Sequence, residues 1–281
     1  MLMMNLISEK TGMNLKRIFL LLTVLCFASL RSSAQVTTKN EGNKNDPNAK
    51  KKARILVIPW EPRMFNCLSD VSHAISKETS QKFSAIEESF RYGMVDQLKK
   101  SFGSEYSVIS LIDDTAKMTE DLYYVYTHST LAYTPVNFPL NPTKADSAKL
   151  KQQNGVQKGQ VVATSDETDK FMNAVVLNPK LLEYLKKKYN ADYVLFLNEV
   201  DIENDLGSDP SNLMGKTDFN RSVVLHWTMF KSSDGKRVAM GKNKSYFPAT
   251  MNTPSKIVST TFATLSKAIA TKFLVAVKPK E

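Results

Sequence analysis

Cysteine is scarce in this chain: Cys26 lies in an apolar run near the start, which leaves Cys67 alone once that run is removed. A lone thiol excludes an intrachain disulfide and leaves pairing between chains, a metal bond or an idle side chain. Histidine is scarce too: His73, His128 and His226 stand far apart in the sequence, and no H-E-x-x-H occurs. A serine triad has no G-x-S-x-G elbow to anchor it. Gly215-Lys216-Thr217 imitates the end of a phosphate-binding loop, but Pro210 stands where the first glycine belongs and a strand follows, not a helix. Apolar runs of about 20 residues, the length a membrane-spanning helix needs, are missing from the sequence pattern.

What is present first is a short apolar run with processing signals around it. Lys16-Arg17 form a basic segment, Ile18 to Ala28 are apolar, and Ser32-Ser33-Ala34 place small residues at the −3 and −1 positions before Gln35. This pattern predicts a secretory signal peptide over 1–34, cleaved between Ala34 and Gln35, and export to the periplasm or beyond. Met13 gives a conventional start for it. Leu25 before Cys26 disfavours a lipid anchor there, so a soluble mature protein is expected. Gln35 to Lys52 is mostly polar and basic and reads as a disordered leader.

A hydrophobic content of 42% is that of a globular domain, and the residues after 52 suffice for one sizeable core. The formal charge of +10 falls to about +7 without the signal segment. Much of it lies in two stretches, Lys39 to Arg54 and Lys144 to Lys158, so a dispersed charge rather than a nucleic-acid site is expected.

Periodicity predicts the elements. Ile55 to Ile58 is a strand buried on both faces and Trp60 to Lys77 a loop; a helix near Thr79 to Phe102 places Phe83, Ile86, Phe90, Met94, Leu98 and Phe102 on one side. Tyr106 to Ile112 is a strand, and a helix runs from Asp113-Asp114 toward Leu131. The polar interval 133–160 reads as a flexible insertion, with a short strand near Gln160 to Ala163. Asn178-Pro179 starts a helix reaching Tyr189, and Asp192 to Ile202 is a central strand. In Arg221 to Lys231, Val223, Leu225, Trp227 and Met229 point one way and Ser222, His226 and Thr228 the other. Ser232 to Gly235 turns the chain into Arg237 to Phe247, and Thr253-Pro254 opens a last helix with Ile257, Thr261, Leu265, Ile269 and Phe273 inward. The expected fold is a single α/β domain over 53–278: a mixed sheet of about five strands with helices on its faces, in the order β-α-β-α-(insertion)-α-β-β-β-α.

ILVIPWEPRMF, SFRYGMVDQL, FMNAVVLNPKLLEYLKKKYNADYVLFLNEVDI and the SSDGK hairpin resemble an uncharacterised family of exported proteins from Bacteroidetes-type bacteria. More remotely, the order of elements resembles the amino-terminal domain of TolB and the periplasmic domain of curli-secretion lipoproteins. That resemblance implies an envelope scaffold without catalytic residues or cofactor, whose partner is another envelope protein and not nucleic acid.

Three groups of residues are candidate sites. Asp70 and His73, near Cys67, offer metal-ligand chemistry in one loop, although three or four converging ligands are needed. Asn198, Glu199, Asp201, Glu203 and Asp205 cluster at the end of the central strand, where carboxylates serve acid/base chemistry or a hard cation. With Asp70 and His73 they form the alternative to a scaffold, a site for a cation or small ligand, or a hydrolase. The competing interpretation is a solvated turn. Tyr123, Tyr124 and Tyr126 form an aromatic patch suited to an interface, or to a helix half in the core.

Overall fold

The computed structural model describes residues 52–103, 105–113, 115–146, 156–157, 160–161, 169–205 and 219–278. The expected signal segment and nearly all of the leader lie outside them. The chain divides into units Met1–Lys50 and Lys51–Glu281, and all described residues belong to the second.

The main sheet has six strands: β1 (Ala53–Ile58), β2 (Phe65–Cys67), β3 (Tyr106–Ser110), β8 (Tyr193–Asn204), β9 (Asn220–Lys231) and β10 (Arg237–Pro248). Their order is β10-β9-β8-β1-β3; β1, β2 and β3 run parallel to β8, and the β8-β9-β10 meander is antiparallel. β1 pairs the first half of β8 and β2 the second, so Pro59 and the loop after it interrupt one continuous lane. A two-stranded ribbon, β4 (Ser129–Pro135) with β7 (Lys170–Val176), forms a separate antiparallel pair, and β5 (Val156–Gln157) and β6 (Gln160–Val161) form another.

Strand alternation divides the core in two. Ile55, Val57, Leu195, Leu197, Val223, Leu225, Trp227 and Met229 face helices α1 (Ser69–Thr79), α2 (Phe83–Phe102) and α5 (Pro254–Val277). Leu56, Ile58, Val194, Phe196 and Phe230 face α3 (Thr115–His128), α4 (Lys180–Tyr189) and the ribbon. Buried Asp121 staples α3 to α4 by accepting from the Tyr184 hydroxyl (2.6 Å), the Lys188 ammonium and the Tyr189 hydroxyl. Burial alone would raise this carboxyl, and those three donors reverse the sign and lower it.

The Asn178 side chain accepts from the Lys180 N–H at 3.0 Å, as a cap should; α5 opens at Thr253-Pro254 as expected, but the Thr253 hydroxyl donates to Glu78 (3.2 Å) and does not cap the helix. The five inner residues of α5 are spaced by four, which in a straight helix drifts about 40° per step. A π turn at Val258–Phe262 takes back much of that drift, and all five are buried. By length and composition α5 could cross a membrane, but here its apolar stripe packs on the sheet as a core helix.

Four expectations change. The predicted loop Trp60–Lys77 contains β2 and most of α1, whose Val71 and Ile75 are buried. The long helix starts at Phe83, because Ser80 adopts φ 59° and ends α1 first; Phe83 is then exposed rather than inward. The predicted helix toward Leu131 stops at His128 and becomes β4, so Tyr133 to Pro135 are strand and not insertion. Its partner β7 was not anticipated; short apolar segments of this length carry little periodicity. Of the predicted strand near Gln160 to Ala163, Gln160 and Val161 are strand, and the last two residues lie outside the described set.

A candidate functional site beneath the ribbon

β8 carries a bulge. Leu197 lies opposite Trp227 and Glu199 opposite His226, so Asn198 is the extra residue. Strict alternation from Leu195 and Leu197 would drive Glu199 into the helix-side core. The bulge shifts the phase, so that Val200 and Ile202 enter that core while Asn198, Glu199 and Asp201 emerge on the ribbon side.

The ribbon side of β8 and β9 is polar yet largely buried: Asn198, Glu199, His226 and Thr228 are each at most 5% exposed. Their work is to satisfy the edge of β7 that lies against the sheet. The Met172 N–H donates to His226 Nδ1 at 2.7 Å and the Ala174 N–H to Thr228 Oγ1 at 3.0 Å. Asn198 Nδ2 donates to the Met172 carbonyl and to Thr228 Oγ1, both at 2.9 Å. Thr228 in turn donates to Asn173 Oδ1 at 2.7 Å, which uses its one hydrogen and both lone pairs. A strand edge that would otherwise bury orphan peptide groups is thereby closed by side chains.

At the outer margin of this rail sits a carboxylate junction. Glu199 accepts from the Tyr133 hydroxyl of β4 (3.0 and 2.9 Å) and from Asn66 Nδ2 of β2 (3.1 Å). Asn66 also donates to Asp201 at 2.8 Å, and His226 Nε2 lies 3.3 Å from Asp201. Burial, then the Asp201 charge, push the Glu199 carboxyl upward against the donors around it. The Tyr133 hydroxyl is pushed up to about 12, by burial first and then by its hydrogen bond to Glu199, so it stays a donor.

Glu199, Asp201 and His226 bring one ligand atom each within 4.8 Å of one another, a spacing that a metal ion could bridge. The ring orientation argues against that use. Because Nδ1 accepts a backbone N–H, the ring proton belongs on Nε2, the atom that faces Asp201. A ligating histidine needs the opposite arrangement, a bare nitrogen toward the metal and an N–H on the other side. His226 is a positioning group for the ribbon.

The other sequence candidates fall in different places. Asp70 reaches the end of β8, where Asn204 Nδ2 donates to it at 2.7 Å. Beside it, buried Arg221 donates to Asn204 (3.3 Å) and Asn252 (2.7 Å). His73 is exposed on α1, so the structure joins Asp70 to the far end of β8 without bringing His73 to Asn198 and Asp201. Of the tyrosines, Tyr123 is 72% exposed, Tyr124 packs against His128 and Tyr184, and Tyr126 donates to the Pro59 carbonyl. His226, Glu199, Asn66, Tyr133 and Thr228 complete the junction and rail. The signal that could have flagged His226 and Thr228 was the polar stripe Ser222, His226 and Thr228, opposite the apolar Val223, Leu225, Trp227 and Met229.

Cys67 lines a cleft of about 440 Å³ with Phe65, Leu68 and Phe83. Burial pushes its thiol up to about 12, with Arg221 pulling the other way. Thiolate is correspondingly scarce at pH 8, so disulfide-reagent labelling should run roughly 10- to 100-fold slower than for free cysteine and become fast in denaturant.

No protein-family model matches the chain, and no curated protein does. Solved structures give distant likenesses. A lipoprotein from Neisseria meningitidis is 12% identical with a TM-score of 0.30, covering 79% of this chain and 99% of that one. A hypothetical protein from Chlamydia trachomatis is 9% identical with a TM-score of 0.36, covering 80% and 99%. A lipoprotein from Caulobacter crescentus is 12% identical with a TM-score of 0.22, over 36% and 81%.

Proposed function

We propose that this chain is an exported envelope protein that works by holding another envelope protein, taking the partner as an added strand on the outer edge of β4. The observation that carries this reading is the ribbon's asymmetry. The inner edge of β7 is closed by His226, Thr228 and Asn198, whereas β4 pairs only with β7 among the described residues. In an antiparallel pair, peptide groups alternate between the two edges. Met172 and Ala174 turn theirs to the sheet, so those of their partners Tyr133 and Leu131 turn outward. An open strand edge of this kind is a template for strand addition. The signal-type start of the sequence supports an envelope location, and the internal use of the buried polar residues supports a scaffold over a hydrolase.

A photo-crosslinking side chain at exposed Thr130, introduced in the source cell, tests it. A discrete adduct is expected, and Leu131→Pro, which deletes one outward N–H, should abolish it in a chain that still melts cooperatively. Equal crosslinking from exposed Ser255 on α5, or an adduct indifferent to the proline, would discard the reading.

A further inference from the structure

Glu199 is buried among groups that compensate its charge only in part. It faces the Tyr133 hydroxyl from β4, the Asn66 amide from β2, the His226 ring from β9 and, two residues along β8, the Asp201 carboxylate. Among the described residues no lysine or arginine pairs with it. Tyr133 is half exposed, so its bond to Glu199 lies at the ribbon's outer margin, where moving one side chain admits water. The grip on β7 further in, through His226, Thr228 and Asn198, contains no carboxylate.

We propose that the burial of Glu199 beside Asp201 beneath β4 is a proton-operated latch: a proton on Glu199 keeps β4 down on the sheet, and ionisation of Glu199 loosens it. The direction follows from linkage. Burial and the neighbouring Asp201 raise the closed-state carboxyl above the ordinary range, whereas an opened, hydrated Glu199 returns toward it. The closed state therefore holds the proton more tightly. Its advantage is complete below the ordinary carboxylate value and is lost as pH rises through the raised one. His226 and the Tyr133 and Asn66 donors pull the other way, but burial and Asp201 outweigh them.

The latch is independent of the partner reading and is tested on the purified chain alone. Hydrogen exchange, normalised for intrinsic rates, is followed between pH 5 and 8.5 in peptides covering 129–135 and 170–176, with 83–102 of α2 as reference. Ribbon protection should fall by roughly three- to tenfold as pH rises while α2 stays level. Glu199→Gln, neutral at every pH, should remove the slope and keep the ribbon protected. Tyr133→Phe keeps the ring as cover and removes a donor that favours the ionised carboxylate, so its slope should be at least as steep as that of the wild type. A wild-type ribbon indifferent to pH, the same slope persisting in Glu199→Gln, or a slope lost in Tyr133→Phe would overturn the proposal.

Discussion

Replacing His226 by alanine is expected to lower the melting temperature by roughly 6–12 °C, corresponding to about 3 kcal/mol in a domain of this size. The imidazole is 5% exposed and does two things. Its Nδ1 takes the Met172 N–H at 2.7 Å, and its Nε2 lies 3.3 Å from Asp201. Alanine leaves the Met172 N–H buried without an acceptor, a desolvation cost of about 1–3 kcal/mol, and opens a void beneath the ribbon. It also leaves Asp201 with one donor fewer beside Glu199. His226→Asn separates these contributions, because an asparagine Oδ1 sits near the position of Nδ1 and accepts the same N–H. The asparagine variant should recover more than half of the loss, and hydrogen exchange at 170–176 should follow the same ranking. A metal-ligand role predicts otherwise: asparagine and alanine would fall together, and zinc or manganese would raise the melting temperature of the wild type alone.

The same residue shows what could be read from the sequence and what could not. The apolar faces were legible, because Val223, Leu225, Trp227 and Met229 alternate over a whole strand and all four are buried. Helix starts and a turn were legible at Asn178-Pro179, Thr253-Pro254 and Ser232 to Gly235, where local chemistry decides the backbone. The opposite face of β9 was visible as a polar stripe, but its cover was not. The ribbon joins residues 129–135 to 170–176 across a long polar interval, and nothing local announces that pairing. The β8 bulge was hidden for a different reason. The inward parity changes between Leu197 and Val200, but Asn198 and Glu199 are both polar, and only the partner strand fixes which of them is the extra residue. Asn198 and Asp201 were thus picked as site residues from strand position, while Glu199's burial, Tyr133 and Asn66 depend on tertiary contact. Asp70 and His73, with Cys67 near, read as ligand types gathered in one loop; the chain there folds as α1, which turns Asp70 toward Asn204 and leaves His73 in solvent.

A second large effect is expected at Gly93, in the middle of α2. Glycine there costs the helix about 1 kcal/mol relative to alanine, so Gly93→Ala would stabilise an exposed helix. Here α5 comes too close. A β-carbon built on Gly93 lies 2.6 Å and 2.7 Å from the two methyl carbons of Val258, the first residue of the π turn. Overpacking of this kind costs about 1–3 kcal/mol, which exceeds the propensity gain; Gly93→Ala should lower stability by about 1–2 kcal/mol and Gly93→Leu by 3 or more. The contact also explains why α5 can follow the sheet. The π turn that returns Thr261 to the core presents Val258 to α2, and only a residue without a side chain leaves room there. The decisive measurement is a double-mutant cycle in denaturant. In a Val258→Ala background the obstructing methyls are gone, so Gly93→Ala should change sign and stabilise by about 0.5–1 kcal/mol, a coupling of roughly 2 kcal/mol between the two positions. Additive effects in that cycle would mean that α2 and α5 slide apart freely and that their close approach is not fixed by this pair.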